Sequence, residues 1–562
     1  MTRRDGAIVA VLLVVLAFLA GAVGAPSFAP AATPAPSPTP VPATGHVQGI
    51  VGRPSSITPL TARTQADRDL VALLFRGLVR LGPGTSLQPD LAASWQVEAK
   101  GTRWTFRLRE DARWHDDVPV TSDDVLYTVR VLQDPDYTGA LAATWAQVTA
   151  TALDEHTVRF ELSDPVGGFL QAATLPLLPA HLLEGTPVAA LADSDFARDP
   201  IGDGAFALVE LSGDGAVLEP VLAPVGLPED PFASAAPGVA TTTTPRLSRL
   251  ELRFFDSADQ LAAAFAAGQV DAAGDLPAAA AMDLAASVRG ATTIRYPATT
   301  LTAITFNLRS PSGPFADART RRALLAAVDR DGMVRALVGG AGSRADTPIP
   351  PSSWAFDAGS ATPVAYDRAA AAAGLKAAGW RKLDGKWLPP KGKAALAVQL
   401  LAPDASANPL VNAAAGRVAK AWSSLGLETT VVALPPATFI ERLRGGDFVA
   451  AVVDVNVGLD PDPYPILAST QVREGGANVS GLQDAGLDAA LVAARAPGTM
   501  TSRLKAYRSL QQALATLAPM PTLFFRDSVM VVGPGLRGPV PRPVADPGDR
   551  FWDVLAWQTA GR

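Results

Sequence analysis

Prolines stand at positions 26, 30, 34, 36, 38, 40 and 42, and the residues between them are mostly Ala, Ser and Thr. Proline locks φ and removes a backbone donor, so this stretch favours extended polyproline II and cannot bury a core. It reads as a semi-rigid tether over residues 26–44, which makes about Gly45 the start of the folded part. Ahead of it, Arg3 and Arg4 precede a charge-free apolar run from Ala7 to Val23. A basic end before such a run reads as an export signal, with the basic end left in the cytoplasm. The run is near the lower edge of the ~17–25 residues that span a bilayer. Residues 1–25 are therefore either a signal peptide or a retained N-terminal membrane anchor. An Ala-x-Ala cleavage point at Ala29-Pro30-Ala31 lies far from the run and leaves that choice open. No later stretch is long and apolar enough to be a second span.

The chain beyond the tether is too long for one ordinary domain and has material for two or three cores. At 48% hydrophobic and 18% charged residues the protein has the composition of a folded globular chain. A net charge of −6 offers no basic face, so no nucleic-acid partner is expected. The chain has no cysteine. That excludes disulfides, Cys-ligated metals, thiol nucleophiles and a lipid-modified Cys, so any attachment to the membrane falls to the apolar run itself.

From Gly45 onward, helix and strand signals alternate. Trp104, Phe106 and Leu108 alternate with polar residues, as do Val158, Phe160 and Leu162, which is the period of a half-buried strand. Thr121-Ser-Asp-Asp124 is a capping box opening a helix that stops near Pro135, and Ser257-Ala-Asp-Gln260 opens another that ends before Gly268. Two short helices are expected between Asp317 and Val338, and one from Ser502 to Leu517. Residues 220–246 carry Pro, Thr and Ala without a usable period and read as a long loop or insertion. The mixture predicts an α+β or α/β chain of more than one lobe.

Motifs for catalysis do not assemble. His46, His115, His156 and His181 lack metal-pair spacing, and no Gly-x-Ser-x-Gly elbow occurs. Ser502-Arg-Leu-Lys505 matches a serine acyl-enzyme pattern but lacks the Lys-Thr-Gly partner, and reads as a solvated helix face. Gly339-Gly340-Ala341-Gly342 comes after a helix and reads as its stop rather than a phosphate loop. Asp460-Pro-Asp462-Pro places two carboxylates together, which reads as a Pro-stiffened loop whose Asp side chains cap backbone N–H groups. The expectation is a protein without catalytic residues, cofactor or metal site.

Several blocks in order resemble one family. They are LLFRGLVRL (73–81), LQPDLAASWQV (87–97), WTFRLREDARWHDDVPVTSDDVLYTV (104–129), HTVRFEL (156–162), PIGDGAFAL (200–208), FNLRSPSGPFADARTRRALLAAVDRDGMV (306–334), DPDPY (460–464) and LKAYRSLQQALATLAPMPTLFF (504–525). Together they are similar to the family 5 solute-binding proteins, the peptide/nickel-binding group of ABC importers, over roughly 47–557. The resemblance implies a two-lobed α/β clamp of the periplasmic-binding-protein kind with an extra subdomain in the first lobe. It places the first lobe at 45–75, 201–304 and 526–562, the subdomain at 76–200 and the second lobe at 305–525. The crossings near Thr305-Phe306-Asn307 and Phe524-Phe525-Arg526 would be the hinge.

The same resemblance implies ligand contacts at Ser55, Ser56 and Ile57, at Asp454, Asn456 and Val457, and at Asn478. Peptide-binding members carry an acidic residue three positions before the Asp-Pro-Asp block, which pairs with the peptide's α-ammonium. Here Val457 stands at that place and cannot. Asp454 would lie on the opposite face of a regular strand, and only a bulge would bring it round. An acid in an apolar strand needs a partner, either a ligand or an internal Arg. Trp145 and Trp354 are candidates for the pocket lining or the core. The implied function is capture of a small-molecule or peptide ligand and its delivery to ABC permease subunits. A ligand sensor for a membrane signalling partner and an exported hydrolase are the alternatives.

Overall fold

A computed structural model describes residues 45–559, apart from 83–85, 138, 140, 222–246 and 474–475. The expected signal or anchor, the tether and all but the first two residues of the 220–246 insertion lie outside the described residues. Among the described residues, no helix is long and apolar enough to cross a membrane.

Among the described residues, one mixed sheet of eleven strands runs through both halves. Its eleven strands are β1 (Gly45–Val51), β2 (Phe206–Leu211), β3 (Gly215–Pro220), β4 (Arg249–Phe255), β5 (Ala272–Ala273), β6 (Thr292–Phe306), β7 (Gly342–Arg344), β8 (Val398–Pro403), β9 (Thr429–Leu434), β10 (Ala450–Asn456) and β11 (Thr522–Val532). Their order is β9-β8-β10-β6-β11-β5-β1-β4-β3-β2, with β7 beside β11. Each half contains parallel pairs, as in β1 with β4 and β8 with β9. The two longest, β6 and β11, pair antiparallel and join the halves.

Burial divides this sheet into lobes. In the first half, Ile50, Leu250, Leu252, Tyr296, Met530 and Val532 face one core, while Val47, Val529 and Val531 face a smaller one with Leu261 and Phe265. In the second half, Ile304, Phe306, Leu400, Val452 and Phe524 face one core, and Leu301, Ala303, Leu401, Val453, Val455 and Phe525 face another. The period of two along each strand sends neighbours to opposite faces, so each lobe is a sheet covered on both sides. The second lobe is anchored by Trp422, fully buried and stacked on Phe306 at 5.8 Å between ring centroids.

The subdomain carries its own antiparallel sheet, in the order Ala92–Glu98, Arg103–Leu108, Thr157–Leu162 and Val148–Asp154. Its Phe106, Trp114 and Phe160 join the same core as Leu250 and Leu252, which welds it to the first lobe. The alternation predicted for Trp104–Leu108 and Val158–Leu162 is the observed burial of two of these strands.

Five helices serve as landmarks: α1 (Gln65–Leu74), α2 (Ser122–Gln133), α3 (Pro409–Leu425), α4 (Ala485–Arg495) and α5 (Met500–Leu517). The Thr121–Asp124 box forms in full at the start of α2. The Ser257 box forms by half: Ser257 Oγ receives the Gln260 N–H, but Gln260 Oε1 turns to the N–H of Asp256. Gly339 and Gly340 both have positive φ after the helix Arg330–Leu337, as a helix stop requires.

Candidate functional site

The lobes meet where β6 and β11 lose register. Pro297 lies opposite Asp527, yet Leu301 lies opposite Phe525, so β6 bulges at 298–300. Core membership changes over the same stretch: Ala298 packs on the first-lobe core and Leu301 already lies in a second-lobe core. Thr305 and Phe306, expected at the hinge, are buried within the second lobe. On β11 the corresponding change lies between Phe525 and Val529.

Asn456 ends β10 at this crossing. Its Oδ1 accepts from Thr299 Oγ1 at 2.7 Å and from the Gly458 N–H at 3.0 Å, and its Nδ2 donates to the Ala545 carbonyl at 3.1 Å. Ala545 belongs to the C-terminal first-lobe segment, whose Val544 carbonyl also takes the Thr299 N–H. The Val457 N–H in turn donates to the Thr299 carbonyl at 3.1 Å. One amide side chain thereby bonds the crossing strand and both lobes.

Asp454 sits two residues earlier on the same face. β10 pairs with β6 from Thr300–Asn456 to Phe306–Ala450 without a shift, so no bulge turns Asp454 toward Val457. Val453, Val455 and Val457 enter the Leu301 core, and Val457 is almost fully buried there. Asp454 is ion-paired with Arg526, accepts from Thr302 Oγ1 at 2.7 Å and faces Asn408 Nδ2 at 3.4 Å. Asn408 is the N-cap of α3, and Arg526 is part-exposed on the crossing strand.

The Asp-Pro-Asp-Pro loop comes next. Arg503 of α5 gives Nη2 to both oxygens of Asp460, at 2.8 and 3.0 Å, while its guanidinium covers the Trp354 ring at 4.6 Å. Arg495 of α4 lies 3.2 Å from Asp462 and 4.4 Å from the Tyr464 ring centroid. Burial raises the Asp462 carboxyl above its ordinary value, against the opposing charge of Arg495. Asp462 also accepts the Tyr464 N–H, the expected cap, and the Tyr507 hydroxyl donates to the Pro461 carbonyl.

This loop faces the subdomain. The Gly167 N–H donates to the Arg495 carbonyl at 2.8 Å, and Gly168 is so close to Asp460 that an added Cβ would stand 3.3 Å from its Oδ2. Gly101, at the tip of the hairpin Ala92–Leu108, has φ +97° and lies against Pro497, where an added Cβ would collide.

On the first lobe, the 55–57 loop is shaped by Asp67, which sequence reasoning missed. Its carboxylate takes the N–H groups of Ser55, Ser56, Arg63 and Thr64 and the hydroxyl of Ser55. Thr64 returns a cap to the Asp67 N–H, so the signal was a Thr-x-x-Asp box ahead of the apolar face of α1. Ile57 is buried and donates its N–H to the Ala197 carbonyl. Asn478 spends its amide inside the second lobe, donating to the carbonyls of Leu467, Ala468 and Leu482 and accepting from Ser480 Oγ and the Gly481 N–H. Trp145 is a core residue among Phe160 and Phe169, and Trp354 meets Tyr507 edge-on. The structure thus brings Asn456 and Val457 together at the crossing, turns Asp454 to the face opposite Val457, and holds Ser55–Ile57 through first-lobe and subdomain partners.

Residues 86–476 match the model of the bacterial extracellular solute-binding proteins, family 5 middle. The chain belongs to family 5. Among the relatives of this solute-binding protein, the oligopeptide-binding protein AppA of Bacillus subtilis is 24% identical over 522 residues, covering 92% of this chain and 91% of AppA. Protein XP55 of Streptomyces lividans is 28% identical over 558 residues, covering 97% and 92%. Among solved structures, NikZ of Campylobacter jejuni in complex with Ni(L-His) superposes with a TM-score of 0.71 at 25% identity, over 92% of this chain and all of that one. AppA in complex with a nonapeptide shares the fold with a TM-score of 0.68 at 23% identity, over 92% and 99%. The two-lobed clamp expected from the sequence is the fold of these family 5 proteins. The comparisons give no support to the sensor or hydrolase alternatives.

Proposed function

We propose that this family 5 protein closes its lobes around a peptide-like or other small polar solute outside the cytoplasmic membrane and delivers it to the permease subunits of an ABC importer. One observation carries the reading: two lobes with separate cores are joined by β6 and β11, whose middle residues, 297–300 and 526–528, lie outside the second-lobe cores and leave a bulge between them. A joint of this kind lets the lobes rotate as bodies, because the change is absorbed by a few residues rather than by a packed core. A ligand held between lobes stabilises the closed state only through contacts with both. The proposed walls are the Ser55–Ile57 loop on the first lobe and residues 454–462 on the second, with Asn456 and Val457 at the joint and Asn478 bracing the segment behind them. Residues 1–25 serve as the export signal or as the membrane anchor, which a protein without cysteine needs if it stays at the cell surface.

The purified protein should gain thermal stability from its solute, since a ligand that binds only the native state adds RT ln(1 + [L]/Kd). A panel of peptides, amino-acid metal chelates, sugars and opines is the assay. A panel that shifts nothing would remove the reading.

A further inference from the structure

The wall between Asp454 and Asp462 is charge-neutral. It holds three carboxylates, and each is matched to an arginine: Asp454 to Arg526, Asp460 to Arg503 and Asp462 to Arg495. Arg503 contacts both oxygens of Asp460 and is covered by an aromatic ring, and Arg495 is likewise stacked, on Tyr464. Such pairs are held in place rather than offered to a newcomer.

The same segment touches the first lobe at one end and the subdomain at the other. At one end Asn456 bonds Ala545 of the first lobe, and at the other Asp460 and the Arg495 carbonyl abut Gly168 and Gly167 of the subdomain. On the capture reading, the enclosed solute lies along it. An ammonium placed here would be stripped of water without gaining an uncommitted anion, a net cost. A neutral amide loses far less on desolvation and needs no opposite charge to bond.

We propose that the cargo meets this wall through uncharged amide groups, as an N-blocked, peptide-like solute does, and that no free amino group is read here. The proposal rests on the capture reading and narrows it to a class of ligand.

Matched peptide pairs test it: Ala- and Leu-containing tetrapeptides, each with a free or an acetylated amino end, titrated calorimetrically into the purified protein. The acetylated member should bind at least as tightly as the free one in every pair that binds. Arg526→Gln, which leaves Asp454 without its cation, should then move the preference toward the free amine by about tenfold. Loss of affinity of about tenfold or more on acetylation would overturn the proposal. Binding of sugars or metal chelates alone would also overturn it while leaving capture intact. A failure of peptides and of the whole solute panel removes capture, and this inference with it.

Discussion

Asn456 Nδ2, at the end of a second-lobe strand, donates to the carbonyl oxygen of Ala545 in the first lobe at 3.1 Å. Its Oδ1 faces the other way, to Thr299 and Gly458. Asn456→Ala should cost about 1–3 kcal/mol in urea unfolding, since each lost bond contributes ~0.5–1.5 kcal/mol and leaves a partner unsatisfied. Asn456→Asp retains the acceptor and loses the donor. In small-angle scattering it should loosen the lobes as the Ala variant does, while keeping more of the stability. Equal stability of Asn456→Ala and the parent would show that the joint is held elsewhere.

Subdomain and second lobe touch through glycines. A Cβ at Gly101 would lie 2.2 Å from Pro497 Cγ. Gly101→Val should therefore shift the lobes toward the open form and enlarge the radius of gyration. Gly185 has a similar φ of +99° but nothing within 4 Å of its added Cβ, so Gly185→Ala controls for backbone strain alone. The contact is not a closing contact if both variants scatter alike.

Asp203 predicts a pH dependence. It is buried, its Oδ1 takes the Arg76 N–H, and its Oδ2 has no hydrogen-bond partner among the described residues. Burial raises its carboxyl to about 8, only partly offset by Arg76, whose guanidinium is committed to Asp90. An unfolded aspartate titrates near 3.9, so between about pH 4 and pH 8 the folded chain holds a proton that the unfolded chain has released. This group's contribution therefore falls as pH rises through that window, by at most about 1.4 kcal/mol per unit. Asp275 and Asp553, raised to about 7 by burial, act in the same direction. Asp203→Asn should flatten the slope of unfolding free energy against pH between about 5 and 7, measured by urea titration. An unchanged slope would place the proton elsewhere.

Arg550 and Asp69 form a fully buried ion pair that ties the C-terminal segment to α1. Asp69→Ala removes both hydrogen bonds that Asp69 accepts from the buried guanidinium and leaves that cation only the Asp275 carboxylate, 3.5 Å away. It should cost about 3 kcal/mol, whereas replacing both residues with leucine should recover only part of the loss, because Asp275 then loses its cation. Calorimetric melting of the single and double variants separates the two outcomes.

Much of the fold was legible in the chain. The period of Trp104–Leu108, the box at Thr121–Asp124 and the stop at Gly339-Gly340 are local devices, and side-chain alternation and capping act within a few residues. The family blocks added the two lobes. The site was less legible because its partners are remote in sequence. Nothing near Asp454 announces Arg526, 72 residues away, nor does Asn456 announce Ala545, 89 residues on. Likewise, Asp67 shapes the Ser55–Ser56 loop from the first turn of α1, beyond the reach of a signal local to the loop. The α/β lobes, the lack of thiol chemistry and the departure at Val457 could all be read from the order of residues. The regularity of β10, the change of core at 298–300 and the neutralised carboxylates of the wall emerged only once the chain was folded. Charge pairing and strand register depend on which segments the packed cores bring side by side.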